Sequence, residues 1–370
     1  MPRLFLFLLV LKAFFSVSAF CGDVYYAGFL GNSRNAVDLS LYETMKMAAA
    51  EINSGGNDYT IEPVFFDEED ERTPELIMTK ANLAAIIACF SEKHAEIIKN
   101  SGEIPLITVS KNFAGFNAAA PGRSFRICPS ESQLAESLSR FSYAVIGKNK
   151  AAIIYSEGSD DYLKAAEGFA ANCRANRVWA DYFKSVPGDR TDFTNILLRL
   201  RDLKVQSIYF AGSMEQAAEL ARKSQEMNVG AVILTMDNVN TKAFIKKAKF
   251  GADMTCFSSM APPALSGFKK FQPFLKKYRK EAAGREDIHM PFVYDAVKVL
   301  ASGLTSGARK PAEITAYLKS ATHDVTTGTF TFNNTGNRSA ASSFFYIIAR
   351  GEILHRKLQE NETKKYMEAK

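Results

Sequence analysis

The sequence predicts an α/β protein made of two Rossmann-like parallel-sheet lobes. Short apolar runs alternate with amphipathic stretches of helical period. That rhythm restarts near Ala151. The chain has 370 residues, enough for about two domains. With 47% hydrophobic and 23% charged residues it has the composition of a globular chain, not a disordered or disulfide-scaffold one.

The opening MPRLFLFLLVLKAFFSVSAFCGD joins Arg3, an apolar run from Leu4 to Val10 and the small residues Val17-Ser18-Ala19. Lys12 interrupts the run, which is then too short to span about 30 Å of bilayer. The segment 1–19 therefore reads as a cleaved export signal, placing the mature chain in the periplasm or another extracytoplasmic compartment. Cys21 offers a second processing route, cleavage before it with lipidation of its thiol, although bulky Phe20 fits that poorly. Removing Arg3 and Lys12 lowers the formal net charge from +6 to +4, too diffuse an excess for a nucleic-acid partner.

Val24 to Phe29 reads as a buried strand, followed by the polar loop Gly31 to Asn35. Ser40 and Glu43 stand in capping-box spacing, so a helix is placed there, with Leu41, Met45, Ala48 and Ile52 on one face. Thr60–Phe66 alternates as a strand before the acidic loop Asp67–Glu71. A helix from about Pro74 leads to the strand Ala84–Ala88. Ser91 can cap the next helix, and Ile104–Thr108 is a further strand.

After the helix Leu134–Val145 the second lobe repeats the pattern. Its strands are Ala151–Tyr155, Val178–Phe183, Val205–Phe210 and Ala231–Thr235, separated by helices at Tyr162–Ala175, around Phe193–Leu200, and from the capping box Ser213/Gln216. Phe268 to Leu304 reads as helical. Gly328–Phe332 and Phe344–Ile348 read as late strands, and a charged tail follows from Arg356.

Catalytic signatures are absent. The four histidines form no HExxH, no GxSxG elbow occurs, and no P-loop or GxGxxG follows a strand. The five cysteines are widely spaced without CxxC, so neither a metal nor a cofactor is expected; one disulfide remains open, while Cys173 and Cys256 read as small buried hydrophobes. Polar residues instead gather at strand ends, where ligands bind in parallel α/β sheets and helix N-termini favour anions.

Several segments resemble the leucine/isoleucine/valine-binding protein family, type I periplasmic solute-binding proteins of ABC transporters. They are Ala50-Glu51-Ile52-Asn53-Ser54-Gly55-Gly56, Ile104–Ile107, Phe125–Ser130, Asp192-Phe193 with Leu198–Leu200, Ala211-Gly212, Tyr294–Val297 and Gly328–Phe332. The resemblance implies a periplasmic binding protein-like fold with a three-crossover hinge. Residues 22–128 plus 260–342 would form lobe 1, and 130–258 plus 343–370 lobe 2. It implies no enzyme but a monomeric binding protein, capturing an amino-acid-like solute between the lobes and delivering it to an ABC permease; a ligand-sensing module for a receptor is the alternative. It also implies that hydroxyls and N–H groups of two lobe-1 loops hold the ligand carboxylate. Here those loops are Cys89-Phe90-Ser91 and Ser110-Lys111-Asn112. The hydroxyl positions fall on Cys89 and Asn112, and Ser110 offers its carbonyl. Asp237 stands where an acid binds the ammonium. Aromatic positions fall on Asp161, beside Tyr162, and on Ser213, while His289 precedes a helix near the cleft. These departures move the expected ligand toward a solute more polar than leucine. Asp237, Ser91 and Ser213 could equally serve as helix caps. Lys111 reads as solvated, or as the partner of an extra ligand carboxylate.

Overall fold

The computed structural model describes residues 22–369 except 283 and 341, so the export signal and Cys21 lie outside the described residues. The first sheet is five-stranded and fully parallel, formed by β1 (Asp23–Gly31), β2 (Tyr59–Asp67), β3 (Leu83–Ala88), β4 (Leu106–Thr108) and β5 (Ser124–Arg126) in the order β2-β1-β3-β4-β5. β3, Leu-Ala-Ala-Ile-Ile-Ala, is buried along its whole length, as a central strand covered on both faces must be.

The second sheet has seven strands. β6 (Lys150–Ser156), β7 (Trp179–Val186), β8 (Ser207–Ala211), β9 (Val232–Thr235) and β10 (Cys256–Ser259) are parallel. A short hairpin, β11 (His323–Val325) and β12 (Gly328–Phe330), separates them in sequence from the antiparallel pair β13 (Phe344–Ala349) and β14 (Glu352–His355). The order is β14-β13-β10-β9-β8-β6-β7, with β13 antiparallel to β10.

The chain passes between the sheets three times, after β5, after β10 and before β13. The middle passage carries the helices Gln272–Glu281 and Met290–Thr305 back onto the first sheet. The second of these is buried almost all round, the signature of a helix with core on every side. Its Asp295 is fully buried, and its carboxylate accepts the N–H groups of Thr326 and Thr327 at 2.9 Å each.

Two arginines bind the passages together. Arg338 donates to the carbonyls of Ile127 at 2.8 Å and Ala340 at 2.6 Å. Arg126 extends the edge of β5 through its N–H bond to the Gly336 carbonyl, 2.8 Å. Gly336 has φ +78°, and a Cβ there would collide with the Ser124 carbonyl, so only glycine fits this approach.

Two element expectations are corrected. The first helix is Ala36–Asn53, and its N-cap is Asn35, whose side-chain oxygen accepts the Val37 N–H at 2.8 Å. Ser40 lies inside that helix, donating to the Ala36 carbonyl and accepting the Arg285 N–H. The helical stretch from Phe268 to Leu304 is divided: one helix ends at Glu281 and the next begins at Met290, with Pro291 in its first turn, where a missing N–H is tolerated. The Ser213/Gln216 capping box forms as expected. The four described cysteines are all free thiols. The charged tail carries an exposed helix, Glu360–Glu368, anchored by Tyr366 against Phe345.

Candidate functional site

The parallel strands of both sheets end in loops that face each other. On the first, β3 runs into Cys89 and Ser91, and Ser91 caps the short turn Glu92–His94. The Ser91 N–H donates to His94 Nδ1 at 3.0 Å, which assigns the ring proton to Nε2, pointing at the buried carboxylate of Glu68. Burial holds the His94 pKa below the ordinary value, against the pull of Glu68. Burial opposes the Glu68 charge as well, but bonds from Lys93 and His94 outweigh it and lower its pKa.

The loop after β4 carries Ser110 to Ala114. Thr108 Oγ1 accepts the Ser110 N–H, and Ser110 Oγ accepts the Asn112 N–H, both at 3.2 Å. Beneath it, the Arg126 guanidinium gathers the carbonyls of Ser110, Asn112 (2.7 Å) and Phe113 (2.8 Å). The Ser110 carbonyl expected to face a ligand is therefore committed to Arg126. With its carbonyls drawn inward and Phe113 at φ +67°, the loop turns the N–H groups of Phe113 and Ala114 outward. A bulky residue in that region is strained, and such strain gathers at functional sites.

The second sheet answers from the opposite side. Asp161, in the first turn of the helix Asp160–Ala175, accepts both N–H groups, Phe113 at 2.9 Å and Ala114 at 2.7 Å. Glu131 opens the helix Glu131–Ala144, and Asp237 follows β9. Lys111 reaches across between them, bonding Glu131 and, at 2.5 Å, Asp237. Side-chain exposures of 13% for Lys111, 4% for Glu131 and 9% for Asp237 make this a buried triad. The expectation that Lys111 is solvated is thus corrected. Burial works against its charge, yet two carboxylates hold its pKa far above the usual lysine value. Burial pushes the Glu131 carboxyl upward while Lys111 pulls it down.

Of the residues singled out from sequence, Ser110, Asn112, Asp161 and Asp237 converge on this cluster. Ser213 caps its helix through the Gln216 N–H at 3.2 Å. Cys89 packs against the first lobe's core, and burial pushes its thiol well up; His289 Nδ1 is 2.5 Å from Asp287. No hydrogen bond among the described residues ties Ser91, Cys89 or His289 to the Lys111 triad. Glu131 and Arg126 were not foreseen. A charge set between the apolar Phe125 and Ile127 was the available signal for Arg126.

A cavity of about 870 Å³ borders Lys111, Glu131 and Asp161 and continues to Gln133, Lys319 and Asn337. Such a volume suits a small organic solute. No group of three or more metal-ligating side chains occurs among the described residues.

The sequence matches the family model described as periplasmic binding protein over residues 31–352. It is 24% identical over 234 residues to a Leu/Ile/Val-binding protein of Rhizobium johnstonii, a match covering 62% of this chain and 62% of that relative's length. The fold is similar to the branched-chain amino acid transporter substrate-binding protein of Streptococcus pneumoniae in complex with isoleucine, at 19% identity and TM-score 0.63, covering 90% of this chain and 98% of that one. It is also similar to a solute-binding protein of an ABC transporter from Rhodopseudomonas palustris in complex with 3,4-dihydroxybenzoic acid, at 15% identity and TM-score 0.60, covering 90% and 95%. The family match spans most of the chain, and the expected architecture of two facing lobes with three passages is the one observed: the chain belongs to the periplasmic binding protein family.

Proposed function

We propose that this chain is an exported solute-binding protein that captures an amino-acid-like solute between its lobes and hands it, chemically unchanged, to a membrane permease. Residues 22–128 plus 260–342 act as one lobe and 130–258 plus 343–370 as the other, with the three passages as the hinge. The observation that carries this reading is the convergence of complementary anchors from opposite lobes. N–H groups of Phe113 and Ala114 suit a carboxylate, and the carboxylates of Asp237 and Glu131 suit an ammonium.

Both ligand classes named for the similar structures, isoleucine and a hydroxylated benzoate, bring a carboxylate. The acidic pair in this chain favours the amine-bearing class. Charge-assisted bonds contribute about 1.5–3 kcal/mol each, so three or four offset ordering costs and support micromolar binding, about −8 kcal/mol. The test is a melting-temperature screen of the mature protein against amino acids, benzoates and other small carboxylates. A true ligand at a hundred times its dissociation constant should add about 2.7 kcal/mol of stability. A correctly folded sample that no member of the panel stabilises would overturn the reading.

A further inference from the structure

We propose that Lys111 and Asp161 are the specificity-determining pair of the cleft: without solute they fill its cation and anion positions themselves and latch the lobes shut, and a solute enters by replacing both. The inference rests on the solute-capture reading. Its geometry is reciprocal. The first lobe sends an ammonium, Lys111, to the second lobe's Glu131 and Asp237. The second lobe sends a carboxylate, Asp161, to the first lobe's Phe113 and Ala114 N–H groups at 2.9 and 2.7 Å. The chain thus supplies, from its own side chains, the two charges of a zwitterion.

Exchange chemistry then selects the solute. Withdrawing Lys111 strands two nearly buried carboxylates unless an incoming cation takes its place. Withdrawing Asp161 strands two N–H donors unless an incoming anion meets them. A carboxylic acid alone leaves the Lys111 latch closed, and an amine alone leaves the Asp161 latch closed. A neutral solute opens neither. Only a molecule carrying both groups releases both. The neighbouring cavity of about 870 Å³ borders Lys111, Glu131 and Asp161, so the displaced side chains have space to turn into. Arg126 keeps the receiving loop in shape during the exchange, since its bonds go to carbonyls and not to the latch.

The experiment has two readouts on the full mature protein. X-ray scattering without solute should give a compact wild type and a larger radius of gyration for the double variant Asp161→Ala, Lys111→Met, in which neither latch remains. Asp161→Asn, which removes the charge at nearly constant volume, replaces the alanine variant if circular dichroism shows that one unfolded. Calorimetry would then compare standard α-amino acids with their deaminated acids and decarboxylated amines. Wild type should respond to amino acids only. Asp161→Ala should bind a deaminated acid at least about tenfold more tightly than wild type, because its carboxylate site is no longer pre-filled. A solute-free wild type as expanded as the double variant, or variants no more tolerant of single-charge solutes, would overturn the latch. Scattering as expected with no binding to any form would keep the latch and remove the solute-capture reading instead.

Discussion

A histidine whose Nδ1 already accepts a backbone N–H cannot take up a proton without losing that bond. His94 is in this position, with a side chain only 5% exposed and Phe90 edge-on to its ring. Burial lowers its folded pKa below the unfolded value of about 6.5, so protonation favours the unfolded chain. The resulting stability is complete above about pH 6.5 and is lost as pH falls through the folded value, by up to about 1.4 kcal/mol per pH unit for one proton. Glu68 stays ionised in this window, its own pKa being lowered. Glutamine at position 94 would keep the capping-box acceptor for Ser91 without titrating. The urea midpoint of wild type should therefore fall between about pH 7.5 and 5.5, and His94→Gln should flatten that fall; an unchanged slope would remove His94 from the acid response. At this scale the sequence was partly readable. Asp237 and Ser110 stood out because they are polar residues at strand ends, and Asp161 only through the family resemblance. The burial of Lys111 did not, because its partner Asp237 lies 126 positions away and only the meeting of the lobes buries both.

Elements were readable where burial leaves a pattern and obscure where it does not. β3 and β6 are apolar runs inside parallel sheets and declare themselves. β5 is three residues long, and β14 is a half-exposed edge strand, so neither carries a hydrophobic signature. The start of the first helix shows how spacing misleads. Ser40 and Glu43 have the right interval for a capping box, but Asn35 caps the helix five residues earlier, and Ser40 is buried, tying Arg285 to the helix by accepting its N–H. Replacing Asn35 by alanine should then cost about 1 kcal/mol in denaturant unfolding, the ordinary worth of an N-cap. A variant as stable as wild type would mean that the Val37 N–H finds an equivalent acceptor in solvent.

The whole molecule depends on how two sheets share one discontinuous chain. Its rhythm of strands and helices is written locally, so the two-lobed architecture was legible; the closed cleft was not, because ion pairs between lobes leave no periodic trace. Arg338 is the residue through which the passages communicate. It is 1% exposed, burial draws its pKa down to about 10, and it remains charged at neutral pH. Its bonds to Ile127 and Ala340 tie the passage after β5 to the one before β13, and a further bond reaches the Thr327 carbonyl at 3.3 Å. Methionine would fill much of the volume but leave those buried carbonyls unmet, at about 1–3 kcal/mol each. Because Ile127 and Phe332, flanking this clamp, pack in the first sheet's core, the loss should fall on that lobe. The chain's one tryptophan, Trp179 in β7, reports the other lobe. In wild type, tryptophan fluorescence and far-ultraviolet circular dichroism should trace a single urea transition, the two lobes unfolding together. In Arg338→Met the circular dichroism midpoint should fall below that of Trp179 as the first lobe loosens ahead of the second. Two curves that still coincide in the variant would show that the lobes are coupled through the cleft latch or the core, and not through this guanidinium.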